Sequence, residues 1–225
     1  MNIKTYKMLE DYMLTCMGDS AHDKDHICRV LYVALDIASY ENGVNYDVLI
    51  CACLLHDIGR REQFENPQIC HAAVGSEKAY EFLVFKGFEL EYAEMVKACI
   101  KAHRFRTDTQ PQSIEDKILF DADKIDVTGT LGIARTIFYK GQVSEPLYSL
   151  MPNGQVSDGS IDTLPSFFHE YKYKLEGLYT RFYTNRGAEI AAERQASAKT
   201  FYENMLCEVQ SSYKVGQGLL LKHMD

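Results

Sequence analysis

The chain has 225 residues, 46% of them hydrophobic and 25% charged, with five prolines and fourteen glycines. That composition is globular and excludes disordered, collagenous and fibrous classes, while length alone leaves one large or two small domains open. Twenty-four basic against 32 acidic residues give a formal charge of −8, which argues against a partner such as DNA or RNA but not against a small anionic ligand in a locally positive pocket.

The first residues, MNIKTYKMLEDYMLTCM, carry charge throughout, and no apolar run approaches the ~18 residues of a membrane span, so neither a signal peptide nor a membrane partner is expected. Seven cysteines without a CxxC pair, mostly among apolar neighbours, read as reduced thiols of a cytoplasmic protein.

Periodicity is helical nearly everywhere, so the fold class is all-α. Residues 3–17 form a first helix ending at Gly18. A second starts near Ser20, places Ile27, Val30, Leu31, Ala34 and Ala38 on one face, and stops before Gly43. Asn45 or Asp47 caps a short, very apolar helix, DVLICACLL, which runs into His56-Asp57, stops at Gly59 and belongs at the centre of the fold. Helices follow over about 70–85 and 89–103 and, beyond a polar loop at 104–112, from Ser113, where SIED resembles a capping box with Asp116 in the acidic position. Glycines at 129 and 132 interrupt the next helical pattern, and 141–164 is a long irregular stretch. From Pro165 two further helices are expected, broken around Asn185-Arg186-Gly187, the second carrying Ala198, Phe201, Met205 and Val209 on one face.

Three features carry chemistry. His56-Asp57 ends the most apolar helix, and a buried carboxylate beside an imidazole needs a cation or a hydrogen-bond network; alone, the pair fits equally a helix end meeting solvent. DADKID places Asp121, Asp123 and Asp126 at spacings that cannot share one helical face, so one of them points inward unless the segment is a solvated acidic turn. In DHICRV, His26, Arg29 and Val30 lie on one face, with Val30 directing it toward the core; a structural histidine is the plain alternative. Together these imidazoles and carboxylates form a donor set that suits a divalent Zn, Mn, Fe, Co or Mg ion.

At these residues the sequence resembles the HD-domain superfamily of metal-dependent phosphohydrolases. Its pattern H…HD…D stands here as His26, His56-Asp57 and Asp123, and DHICRV, LLHDIG, CHAAVGSEKAYEFL, IKAHRF and DADKIDVTGTLGIAR follow in the family's order over about residues 20–140. The tail, with KLEGLYT and AAER, is similar to the branch of small bacterial HD hydrolases that includes nucleoside triphosphate pyrophosphohydrolases. The resemblance implies a single helical HD domain over 1–225, its core motifs in 20–140, the loop 141–164, and additional C-terminal helices over 165–213.

It further implies that His26, His56, Asp57 and Asp123 ligate one metal ion, Asp123 being preferred to Asp121 because the family's ligand precedes the position held by Lys124. His71 and His103 fall where binuclear members place two more histidines; the alternative to a second ion is acid/base or phosphate contact. His22, His169 and His223 match no motif. Cations gather locally despite the net acidity: Arg60-Arg61, Lys124, and Lys97, Lys101, Arg104 and Arg106 around His103. Lys124, Arg29 and Arg104 are the candidates for substrate phosphate.

The implied reaction uses a metal-activated water, with Asp57 orienting it and His71 or His103 protonating the leaving oxygen. The expected substrate is a small nucleotide, most specifically a (deoxy)nucleoside triphosphate split to release pyrophosphate. Nucleoside monophosphates, dinucleoside polyphosphates and cyclic nucleotides are the runner-up substrates, and a non-catalytic nucleotide and metal sensor is the alternative of another class. Base and sugar recognition would fall to Tyr148 or to tail aromatics such as Tyr171, Tyr173, Tyr179 and Phe182, although most such rings belong to cores. An amphipathic tail also suits a homo-oligomer.

Overall fold

A computed structural model describes residues 1–17, 24–104 and 110–224. The regular structure among the described residues is helical, with one isolated bridge between Leu150 and Val156 in place of any strand. No helix among them is long and apolar enough to cross a membrane.

Cα packing divides the chain into two compact units, Met1–Asp126 with Phe182–Gly187, and Val127–Arg181 with Ala188–Asp225. The ligand candidates His26, His56, Asp57, His71, His103 and Asp123 all lie in the first unit.

The first unit is built around its most apolar helix. α1 (Ile3–Cys16) is capped by Asn2, whose side chain accepts from Thr5 N. α2 (Lys24–Ala38) buries Ile27, Val30, Leu31, Ala34, Ile37 and Ala38, the face expected from spacing; the proposed start at Ser20 and the histidine at 22 lie outside the described residues. α3 (Tyr46–Leu55) takes Asn45, not Asp47, as its cap and buries nearly every side chain. It packs against α1, α2, α5 (His71–Phe85), α6 (Leu90–Ala102) and α7 (Ile114–Ile125), which is the central position its composition demands.

α4 (Arg60–Glu65) is a polar single-turn-scale helix that periodicity did not reveal. α7 begins on the expected capping box, with Ser113 accepting from Asp116 N and Asp116 accepting from Ser113 N.

Asp121 belongs to structure. It is fully buried and accepts from Tyr183 N, Thr184 N and Thr184 Oγ1, which pins the 182–187 segment to α7. Thr184 Oγ1 in turn accepts from Gly187 N. Asn185-Arg186-Gly187 is consequently the first turn of α10 (Asn185–Lys222) rather than a break in a helix, because Thr184 satisfies an orphan donor there.

The second unit holds α8 (Gly129–Gln142), α9 (Phe167–Glu170), a π turn at Tyr171–Leu175, a 3₁₀ turn at Leu178–Thr180 and the remainder of α10. Gly129 and Gly132 open α8 instead of interrupting it; a Cβ at Gly132 would lie 2.1 Å from Val127 C. The core consists of Ile133, Val156, Phe167, Phe168, Tyr171, Leu175, Leu178, Ala198 and Tyr202. Tyr202, stacked on Tyr171, occupies the place assigned from spacing to Phe201, which is exposed.

One close approach positions the site. The turn after His56-Asp57 passes so near α5 that a Cβ on Gly59 would stand 2.3 Å from His71 O and 2.7 Å from Gly75 N. Both obstacles are backbone and cannot rotate away. Gly59→Ala is expected to destabilise the first unit by about 1–3 kcal/mol through overpacking, measured as a lowered urea midpoint; an unchanged midpoint would show that the contact is slack.

Candidate active site

Four helices deliver four histidines to one place. His56 and His103 are each the residue that ends a helix, α3 and α6, and each turns its Nδ1 back to donate to the carbonyl three residues earlier. The distances are 2.8 Å to Cys53 O and 2.5 Å to Ile100 O. His71 opens α5 and donates from Nδ1 to Gln63 Oε1 at 2.6 Å; Arg60 Nη1 also donates to that oxygen, which fixes the amide orientation. His26, in α2, donates from Nδ1 to Asp126 Oδ2 at 2.7 Å.

With every Nδ1 proton directed outward to an acceptor, every Nε2 presents a lone pair inward. The inward atoms meet in pairs: His26 and His56 Nε2 are 3.4 Å apart, and His71 and His103 Nε2 are 3.2 Å apart. Two neutral lone pairs facing at that distance repel unless a proton or metal cation stands between them. Burial pushes the His56 imidazole down to about 4 against the pull of Asp57, and it likewise lowers His71. Protons are therefore poor occupants near neutrality.

Asp57 lies between the pairs, fully buried. Its Oδ2 is 3.4 Å from His26 Nε2 and 3.7 Å from His56 Nε2, and its Oδ1 is 3.5 Å from His71 Nε2 and 3.7 Å from His103 Nε2. Burial alone would raise its carboxyl, but the Arg60 guanidinium and the surrounding imidazoles outweigh burial and hold it well below the usual carboxylate range. Asp57 is thus an anion, yet Oδ2 has no hydrogen-bond partner. An orphaned buried carboxylate oxygen beside two inward nitrogens fits a cation. Asp123 completes that side, with Oδ1 3.4 Å from His26 Nε2 and 3.8 Å from His56 Nε2.

Donor atoms of His26, His56 and Asp123 lie within 4.8 Å of one another, as do those of Asp57, His71 and His103. Both groups could hold a metal ion, and neutral imidazole with carboxylate is the chemistry of divalent ions.

Outer residues missed from sequence complete the centre. Asp126 joins His26 to Arg29, whose Nε and Nη2 donate to its two oxygens at 2.8 and 3.1 Å. All three carboxylates of DADKID are therefore engaged, in three different tasks, and the segment is not a solvated turn. The i, i+3 spacings of Asp123 to Asp126 and of His26 to Arg29 were the available signal. Gln63 had none, because it lies on the polar helix that pattern did not show.

The proposed phosphate contacts are placed as follows. Lys124 Nζ lies over the Phe120 ring, Arg29 grips Asp126, and Arg104 Nη1 donates to Cys70 Sγ at 3.6 Å. Lys97 pairs with Glu77, Lys101 is exposed, and residue 106 lies outside the described residues. His169 and His223 are in the second unit, His169 stacked on Tyr173. Tyr148, Tyr171 and Tyr179 are bound up in contacts of that unit, and Tyr173 is exposed. The seven cysteines are all unpaired, and burial pushes Cys51 up to about 12, so it packs rather than reacts.

The HD-domain family model matches residues 24–128, the stretch that contains every one of these ligand candidates. The protein YpgQ of Bacillus subtilis strain 168 is 30% identical over 198 residues, covering 85% of this chain and 87% of its own. The chain belongs to the HD-domain superfamily. An HD-superfamily hydrolase of Bacillus thuringiensis shares the fold at a TM-score of 0.67 and 25% identity, covering 91% of this chain and 96% of its own. The crystal structure of B. subtilis YpgQ in complex with ADP gives a TM-score of 0.70 at 24% identity, covering 91% and 97%. As a member of this superfamily, the chain is a metal-dependent phosphohydrolase.

The role of Asp126 can be measured. Asp126→Asn weakens the acceptor that fixes the His26 tautomer, and metal affinity is expected to fall about 10–100-fold in equilibrium dialysis, the usual cost of losing such a partner. Unaltered affinity would remove Asp126 from the metal centre.

Proposed function

We propose that this HD-domain chain hydrolyses (deoxy)nucleoside triphosphates between the α and β phosphates, releasing pyrophosphate. The observation that carries the reading is Asp57, one buried carboxylate shared by two imidazole pairs and paired with Arg60, with Arg29 on Asp126 behind His26 and Arg104 on the residue after His103. A ligating centre with guanidinium groups nearby suits an anionic phosphate chain. The capture of ADP by YpgQ supports a nucleotide as the bearer of that phosphate.

His26, His56, Asp57 and Asp123 are the residues that hold the divalent ion. A divalent ion held there would supply Lewis acidity, lowering the pKa of a water and stabilising charge on a phosphoryl oxygen. Asp126 keeps the His26 lone pair on its target, and Asp57 orients the attacking water through its Oδ2 side. His71 or His103 faces the leaving oxygen, as its proton donor or as a phosphate contact. Arg29, Arg104 and Lys124 bind the phosphate chain, with Lys124 next to the ligand Asp123. The same reading places the protein in the cytoplasm, in keeping with its unpaired cysteines.

The test is a panel of ribo- and deoxyribonucleoside tri-, di- and monophosphates, incubated with purified protein and Mn, Mg, Co or Fe, with phosphate and pyrophosphate assayed separately. Triphosphates should yield pyrophosphate and the monophosphate. Binding of nucleotide without release under any metal would sink the enzymatic reading in favour of a sensor. Asp57→Ala should lower turnover by about two to three orders of magnitude, the scale of losing a principal electrostatic group, and metal content should fall with it. Substitution of the exposed Lys101 by alanine should change neither.

A further inference from the structure

The two sides of Asp57 are not equivalent. Oδ2, which faces His26, His56 and Asp123, is orphaned. Oδ1, which faces His71 and His103, already accepts from Arg60 Nε at 2.8 Å. A guanidinium thus already neutralises the carboxylate oxygen that a second ion would need, and sets a positive charge beside it. The charges around the groups differ in the same sense. The first group has Asp123 as a further anionic donor, with the anion Asp126 behind His26. Among the described residues the second has imidazoles alone besides Oδ1, with the neutral amide of Gln63 behind His71 and a second guanidinium, Arg104, on the residue after His103.

We propose that Arg60 is a built-in counter-cation that closes the His71–His103 group to metal, so that the chain holds one divalent ion tightly, at His26, His56, Asp57 and Asp123. This rests on the metal-centre reading above and refines it by fixing the ion count and naming the residue that sets it. Like charges at such range in a buried site repel strongly, whereas at a solvated surface they would be screened. The pull of Arg60 on Asp57, foremost among the charges that keep that carboxyl ionised, is consistent with this competition. Arg60 and Gln63 both come from α4, so one short polar helix sets both the charge and the tautomer of this side.

The experiment is a Mn²⁺ titration of metal-stripped full-length protein by equilibrium dialysis, with bound metal counted directly. Wild type should saturate with one ion per chain, any further ion binding at least about tenfold more weakly. Arg60→Gln should tighten the second ion at least about tenfold, giving two per chain, and Arg60→Lys, which keeps the charge, should behave as wild type. Arg60 is partly exposed, so neither substitution empties a core position. Two ions of like affinity in wild type, or an Arg60→Gln titration that matches wild type, would overturn the proposal. Asp123→Ala, run in parallel, separates the two levels: it should abolish the tight ion. If it does not, or if wild type binds no Mn²⁺, the metal-centre reading fails and this inference falls with it.

Discussion

Everything at this centre follows from placing an ionised carboxylate at the end of the most apolar helix in the chain. Asp57 is fully buried, and a buried charge is tolerated only when opposite charge and hydrogen bonds surround it. The fold supplies that surround from five directions: α2 brings His26, the end of α3 brings His56, α4 brings Arg60, α5 brings His71 and α6 brings His103. The carboxylate cannot be assembled with fewer, because each oxygen faces a different pair of imidazoles. Gly59 is part of the same constraint. The chain must leave Asp57 and pass within backbone contact of α5, and a side chain there would push His71 away.

The physics that made parts of this legible from sequence is local. A helix without a polar face must be central, and α3 is; a Ser-x-x-Asp start must satisfy two orphan donors, and Ser113 and Asp116 do. The histidine and aspartate ligand candidates were likewise within reach, since each sits in a motif whose neighbours are themselves patterned. Legibility ended where a residue's task is set by a partner distant in sequence. Asp121 and Asp126 look alike in DADKID, yet one ties down the backbone at Thr184 and the other aims an imidazole 100 residues upstream. The helix RREQFE has no apolar stripe for periodicity to detect, so Gln63 and the position of Arg60 were hidden. In the second unit, spacing could not decide between Phe201 and Tyr202, adjacent residues of a long helix, because the partner that decides, Tyr171, stacks from another element.

The charge arithmetic also changes meaning at this scale. A net charge of −8 describes the field far from the molecule, and there it disfavours a polyanion. Within the centre, several of the acids are consumed in pairs or directed at ligand positions: Asp126 by Arg29 and His26, Asp57 by Arg60, Asp123 toward two imidazoles. Global acidity therefore does not speak against a small anionic ligand at this centre.

The imidazole tautomers show that the centre is organised by the protein itself. Each Nδ1 proton is committed to a carbonyl, an amide or a carboxylate, so no rotation or proton shift is needed for Nε2 to accept a cation. The cost of that preparation is paired lone pairs at 3.2 and 3.4 Å, a repulsion built into the free chain. Burial and the Arg60 and Arg104 guanidinium groups all lower the His71 imidazole, so a proton is a poor source of relief there. The side with the orphaned oxygen and the extra carboxylate favours a divalent cation, whereas on the side already joined to Arg60 the opposed nitrogens remain a feature of the free chain, held in place by the carbonyl and amide acceptors behind them.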